Sequence, residues 1–393
     1  MNRIFQFAFA FIILAAIEIL RVYYIMPFPG SQESDTLGTA YFIHQNIYWL
    51  RFIGLLMIAV PVIHFYKFGS IGAKILVSVC LILYAGIFYL FNFELLAEKM
   101  FYQPSSKTFA KYGESQVPLR SLVLGVVQDG EARAYPIELI GYHHQVRDTV
   151  GKTPIMVTYC TVCRTGRVYS PLIDGQDNTF RLVGMDHYNA MFEDAATGTW
   201  WRQASGEAVA GPLLGKRLRE IPAQQVRLEA WIHDHPDTYI MQPDTAFAAQ
   251  YESLSLYDEG ETTSQLTRTD SARGHNKSWV VGLQIGMQSR AYVWNDLVKD
   301  RVINDTLAGT PVVLALHRDN VSFHVWKRDT LRFIPAQDSI LMRDEQTGSR
   351  WNTLGECTAG PLQGKRLERL QAYQEFWHSW RTFHSNSTQY SKQ

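Results

Sequence analysis

With 393 residues the chain is long for one domain and comfortable for two or three. Lys plus Arg and Asp plus Glu both number 37, so no basic excess points to nucleic acid, and four cysteines in a chain this long do not make a disulfide scaffold. Apolar residues make up 47%, enough for a large core, but they are concentrated in roughly the first hundred positions.

Three stretches there reach the length needed to cross a bilayer, about 20 residues. They run from Ile4 to Met26, from Ile47 to Phe65 and from Ile71 to Phe93. The first is read as a retained helix rather than a signal peptide, because no small-residue cleavage site follows it, only Met26-Pro27-Phe28-Pro29. Glu18 and Arg21 share one face of it, placed for an ion pair or for contact with a membrane partner. Arg3 precedes the first helix, and Lys67 and Lys74 flank the second connection, whereas the first connection carries Glu33 and Asp35. This bias puts the N-terminus in the cytoplasm and everything after the third span outside. In a bacterium that means an inner-membrane anchor and a periplasmic soluble part. Residues 94–118 read as a juxtamembrane linker.

The soluble part repeats once. Arg133-Ala134-Tyr135 recurs as Arg290-Ala291-Tyr292, Asp148-Thr149 as Asp305-Thr306, and Thr153-Pro154 as Thr310-Pro311, at a constant offset. Thr197 through Trp201 matches Thr347 through Trp351, and Gly206-Glu207 through Leu213 matches Gly355-Glu356 through Leu362. Two homologous repeats are expected, at 119–241 and 279–393, joined by a polar connecting segment at 242–278 with a short helix near Ala246 to Leu254. Short β-branched runs punctuated by Gly and Asp make each repeat β-rich, closed by a Trp-containing helix at Gln224–His233 and Gln374–His384. The fold class is α+β. The recurring Arg133, Asp148, Trp201 and Glu207, with Arg290, Asp305, Trp351 and Glu356, form a structural motif. Asp148 and Asp305 read as turn formers and the tryptophans as core.

Features present in only one copy are better candidates for chemistry. Cys160-Thr161-Val162-Cys163 ends an apolar run in the first repeat, and its counterparts are His317 and Asn320. This spacing suits a structural disulfide, half of a metal site or a redox-active pair. His143, whose counterpart is Asp300, and His187, after Met185 and Asp186, supply imidazoles. Cys160, Cys163, His143 and His187 are thus a candidate ligand set for a soft or borderline metal ion, copper or zinc. Nothing resembles a phosphate loop, a serine nucleophile elbow or a metalloprotease helix.

The motifs resemble those of domain of unknown function 3179, a bacterial and archaeal family. Its pattern joins Arg-Ala-Tyr-Pro, a His shortly before Asn-Asp-Thr, a Tyr-Cys-Pro-Leu-Cys-Gly strand end, and Thr-Gly-Ser-x-Trp ahead of Gly-Pro-Leu. Here these are Arg133 through Pro136, His143, Asp148-Thr149, Tyr159 through Arg164, and Thr197 through Leu213, within residues 119–388. Thr161 and Arg164 replace the family's Pro and Gly, which implies a looser cysteine turn. The resemblance implies a related fold and no particular activity, so enzymatic and non-enzymatic readings stand side by side. Three functions follow: metal binding or metal-dependent redox chemistry in the first repeat, thiol–disulfide exchange with a periplasmic partner, or a non-enzymatic assembly module docked on a membrane protein.

Overall fold

The computed structural model describes residues 2–336 and 341–392; positions 337–340 and 393 of the expected second repeat lie outside the described residues. The chain is mixed α+β, with three long apolar helices ahead of a β-rich region, and it divides into two compact units.

The first unit comprises residues 1–102, 178–202 and 207–217. Its helices are α1 (Arg3–Tyr23), α2 (Leu37–Phe68) and α3 (Ile71–Tyr89), the last running on through a π-helical turn to Glu94. All three are long and apolar enough to cross a membrane. The second starts well before Ile47, because Ala40, Ile43 and Ile47 continue its buried stripe at helical spacing. Outward faces carry Phe52, Leu56, Ile75 and Ile82, side chains suited to lipid.

Glu18 does not pair with Arg21. Its carboxylate, fully buried, accepts both arms of Arg51 at 2.7 and 2.6 Å, Asn92 at 2.9 Å and Tyr84 at 3.2 Å. Arg21 donates instead to Asn92 Oδ1 at 2.5 Å. The bidentate approach from α2 outcompetes the neighbour one turn away. These polar groups are therefore spent inside the bundle. The same unit contains a four-stranded sheet, ordered Ala208–Ala210, Trp200–Arg202, Asn189–Asp194 and Phe180–Asp186. The connection after α1 meets it where Met185 N–H donates to Ile25 O at 2.7 Å.

The second unit holds residues 103–177, 203–206 and 218–393. Its strand Leu122–Gln128 pairs with Glu131–Pro136 and with Ala223–Arg227; Trp279–Ile285 pairs in the same way with Gln288–Val293 and Ala372–Phe376. Registers coincide, with Gly125 opposite Ala134 and Gly282 opposite Ala291. A second layer joins Gln145–Val150, Thr153–Cys160 and Thr165–Tyr169, and again Val302–Leu307, Thr310–Leu316 and Phe323–Lys327. The closing segments are helical only in their second halves, Leu228–Asp234 and Trp377–Phe383. Their first halves, Ala223–Arg227 and Ala372–Phe376, are drawn into strand because each completes a sheet edge.

Asp148 and Asp305 are strand residues, not turn formers. Asp148 accepts Arg133 at 2.5 Å and Tyr135 Oη at 2.6 Å, and Asp305 accepts Arg290 and Tyr292 at 2.5 and 2.8 Å. Glu207 faces Arg217 at 3.4 Å, and Glu356 faces Arg366 at 3.7 Å. In the connecting segment the helix spans Ala248–Glu252.

Two glycines show why the tryptophans of the closing helices are seated where they are. A Cβ on Gly125 would meet the Trp231 ring at 2.3 Å, and one on Gly282 the Trp380 ring at 2.1 Å. Both indoles are buried flat against backbone. Gly125→Ala and Gly282→Ala are each expected to destabilise the chain by about 1–3 kcal/mol through overpacking. A thermal melt of the detergent-solubilised chain checks this; an unchanged midpoint in both variants contradicts it.

Candidate functional site

The strand Thr153–Cys160 is buried from Ile155 onward, so the chain reverses at Cys160 inside the protein. A buried turn must find partners for its backbone polar groups. Here every partner comes from later in the chain. Thr161 O accepts the Tyr257 hydroxyl at 2.9 Å. Val162 O accepts Lys277 Nζ at 2.6 Å and His378 Nε2 at 3.1 Å. Cys163 O accepts Phe376 N–H at 2.9 Å. Cys160 and Cys163 are both fully buried thiols.

The departure at Arg164 tightens the turn rather than loosening it. Arg164 occupies the left-handed region, φ 55°, which glycine would adopt without cost. Its side chain offsets that strain. Nε donates to Gln374 at 3.1 Å, while Nη1 and Nη2 donate to the carbonyls of Tyr257 and Asp258 at 3.0 and 2.9 Å. The guanidinium also stacks 3.8 Å from the Trp279 ring. Three residues on, buried Arg167 pairs with buried Glu375 and donates to Ala204 O at 3.1 Å. Its guanidinium lies 3.3 Å from the Tyr373 ring. Glu375 also accepts the Ser379 hydroxyl at 2.9 Å.

The electrostatics of the turn centre on Lys277. Burial pulls its ammonium down to about 8, and the charges of Cys163 and Cys160 act in the opposite direction. Lys277 is thus electrostatically coupled to both sulfurs. Beside it, burial and then the Lys277 charge push His378 down to about 3, so this imidazole is neutral near pH 7. Neutral His378 and cationic Lys277 both serve as donors to Val162 O.

Each expected imidazole has a hydrogen-bond or ion-pair partner of its own. His143 ends the helix Ile137–His143, where its Nε2 shares a 2.6 Å hydrogen bond with Tyr251 and its ring packs against Phe247. His144 caps that helix at φ 61°, contacts Tyr142 O at 3.0 Å and is held neutral by burial, at about 4. His187 belongs to the first unit and pairs with Asp186 at 2.6 Å, the carboxylate also taking Arg202. Among the described residues no three His, Cys, Asp or Glu side chains converge as metal ligands.

Sequence reasoning overlooked Lys277, His378, Arg167 and Glu375. Arg167 and Glu375 stand where the other β-rich segment carries different residues. Ladder register places Arg167 where the second segment has His324, and Glu375 where the first has Val226.

A family model described as "Protein of unknown function (DUF3179)" matches residues 104–387. No curated protein and no solved structure matches the chain.

Arg164→Gly relieves the backbone and removes three hydrogen bonds and a stacking contact, so a net loss of about 2–4 kcal/mol is expected. A raised melting midpoint contradicts the account. Acid lability is also expected. His378 binds its proton at about 3 in the fold against 6.5 ordinarily, so between these values the folded chain holds fewer protons than the unfolded one. Stability therefore falls as pH drops through that window, by at most about 1.4 kcal/mol per unit for this one group. Melting midpoints of the chain and of His378→Gln, measured from pH 7 to pH 4, are expected to converge as the pH falls.

Proposed function

From the premise that this chain belongs to the DUF3179 family of proteins of unknown function, we propose that it is a membrane-anchored extracytoplasmic protein. Its functional centre is the Cys160–Cys163 dithiol, and its chemistry is thiol–disulfide exchange. The observation that carries this is Lys277. Its ammonium is held at 2.6 Å on the carbonyl between the two cysteines and is electrostatically coupled to both sulfurs. A neighbouring cation is one of the features that activate a cysteine.

The reaction balances within the pair. One thiolate attacks a sulfur of an incoming disulfide and expels the other as a thiolate. The second cysteine, deprotonated, then displaces the mixed disulfide. The Cys160–Cys163 bond forms, and the incoming disulfide leaves as two thiols carrying the two protons. Because both sulfurs are buried, exchange proceeds from an opened form of the turn that keeps Lys277 beside them.

The same two sulfurs suit a soft metal such as copper or zinc. The Lys277 cation beside them opposes a metal cation, which places exchange first. The two β-rich segments are read as homologous repeats of which only the first kept the thiols; coincident strand registers support this. Charge bias at Arg3, Lys67 and Lys74 supports a cytoplasmic N-terminus and an extracytoplasmic dithiol.

The test is equilibration of the detergent-solubilised chain in graded thiol–disulfide buffers, followed by alkylation and mass spectrometry. A Cys160–Cys163 disulfide that forms and reopens reversibly is expected, with Lys277→Met shifting the titration of the attacking thiol upward by about a unit or more. A pair that stays reduced in every buffer, together with stoichiometric bound metal lost in Cys160→Ser, replaces exchange with the metal reading.

A further inference from the structure

Among the described residues, the second segment places several ring nitrogens in the interior without a hydrogen-bond partner. The strand Thr310–Leu316 ends at His317, and Phe323–Lys327 brings His324 and Trp326 alongside. The imidazoles of His317 and His324 pack with ring centroids 4.7 Å apart, and His324 lies 5.3 Å from the Trp326 ring. His317 is 8% exposed and His324 4%. Among the described residues, Nε2 of each histidine is buried with no hydrogen-bond partner. Native interiors leave few such atoms, and a bound ion is one way to satisfy them.

His317 also lines a cavity of about 380 Å³, with Glu229, Asp234, Asp319 and Arg301 in the same wall. This space can hold water or a small ligand. Burial holds both imidazoles neutral, the form that binds metals. The local cations are partly committed elsewhere. Arg301 donates to Asn320 and to His317 O, and Arg369 to Thr353 O at 2.9 Å. Asp234, with its side chain 8% exposed, keeps a carboxylate in the wall while accepting Thr353 Oγ1 at 2.7 Å.

We infer that His317 and His324 bind a first-row transition-metal ion through their two Nε2 atoms, the cavity supplying water at the remaining positions. No third His, Cys, Asp or Glu stands close enough among the described residues to close the shell. The site is therefore open, labile and accessible to a small ligand, unlike a structural zinc centre. Copper is the divalent ion that two imidazoles retain best. This site is independent of the exchange chemistry proposed for Cys160 and Cys163. His324 occupies the ladder position at which the first segment carries Arg167.

The experiment uses the full detergent-solubilised chain with all four free cysteines, Cys80, Cys160, Cys163 and Cys357, replaced by Ser, so that thiols neither reduce nor bind the probe. Cu(II) alone is titrated and its electron paramagnetic resonance spectrum recorded. One equivalent with hyperfine coupling to two imidazole nitrogens is expected, and His317→Gln and His324→Gln are each expected to weaken binding at least tenfold. Copper bound equally by parent and variants is adventitious and overturns the site. If a histidine variant fails to fold, as judged by circular dichroism, the hyperfine count in the parent decides: fewer than two imidazole nitrogens overturns the inference. Failure here leaves the exchange reading standing, because the parent has no Cys160 or Cys163 thiol.

Discussion

The reversal of the chain at Cys160 is the constraint on which the rest of the candidate site depends. The strand that delivers this turn is buried, so the carbonyls of Thr161, Val162 and Cys163 have no water to bond, and leaving them unmet would cost more than the turn could return. They are met by Tyr257, Lys277, His378 and Phe376, all from the connecting segment and the second β-rich segment. Arg164 and Arg167 fix the same two partners from the other side, through Gln374, the carbonyls of Tyr257 and Asp258, and Glu375. The connecting segment and the second segment thus form the wall of the site and supply its donors in equal share.

This dependence changes the meaning of a segment that lacks the cysteines. Shared contacts, such as Arg133 with Asp148 and Arg290 with Asp305, hold each segment's own strands together. Contacts made by one copy only, such as Arg167 with Glu375, hold the two segments to each other. An isolated residue 119–241 fragment would expose Arg167 without its carboxylate. Breaking a buried pair in this way costs about 3–5 kcal/mol. The functional unit of this chain is accordingly the pair of segments with their connector.

The buried charges follow one rule throughout. Glu18 is satisfied by Arg51, Asn92 and Tyr84, and Glu375 by Arg167 and Ser379, so each carboxylate is taken by several donors. Among the described residues, buried side-chain atoms left without a partner include the imidazole Nε2 atoms of His317 and His324. In the first segment the ladder position of His324 holds Arg167, which is paired with Glu375.

The sequence by itself determined the local and periodic features. Three apolar runs of spanning length, an ordered set of recurring motifs and a CxxC at a strand end are legible without coordinates, because hydropathy, spacing and side-chain type are properties of neighbours in the chain. The β-rich character is legible in the same way, from short β-branched runs punctuated by Gly and Asp. What it left open were pairings between residues far apart. Arg51 rather than Arg21 takes Glu18, His143 turns to Tyr251, and the sulfurs acquire Lys277 as neighbour. Only the tertiary structure decided these, because a buried polar group bonds to whatever the fold brings within about 3 Å, and sequence distance does not enter that energy.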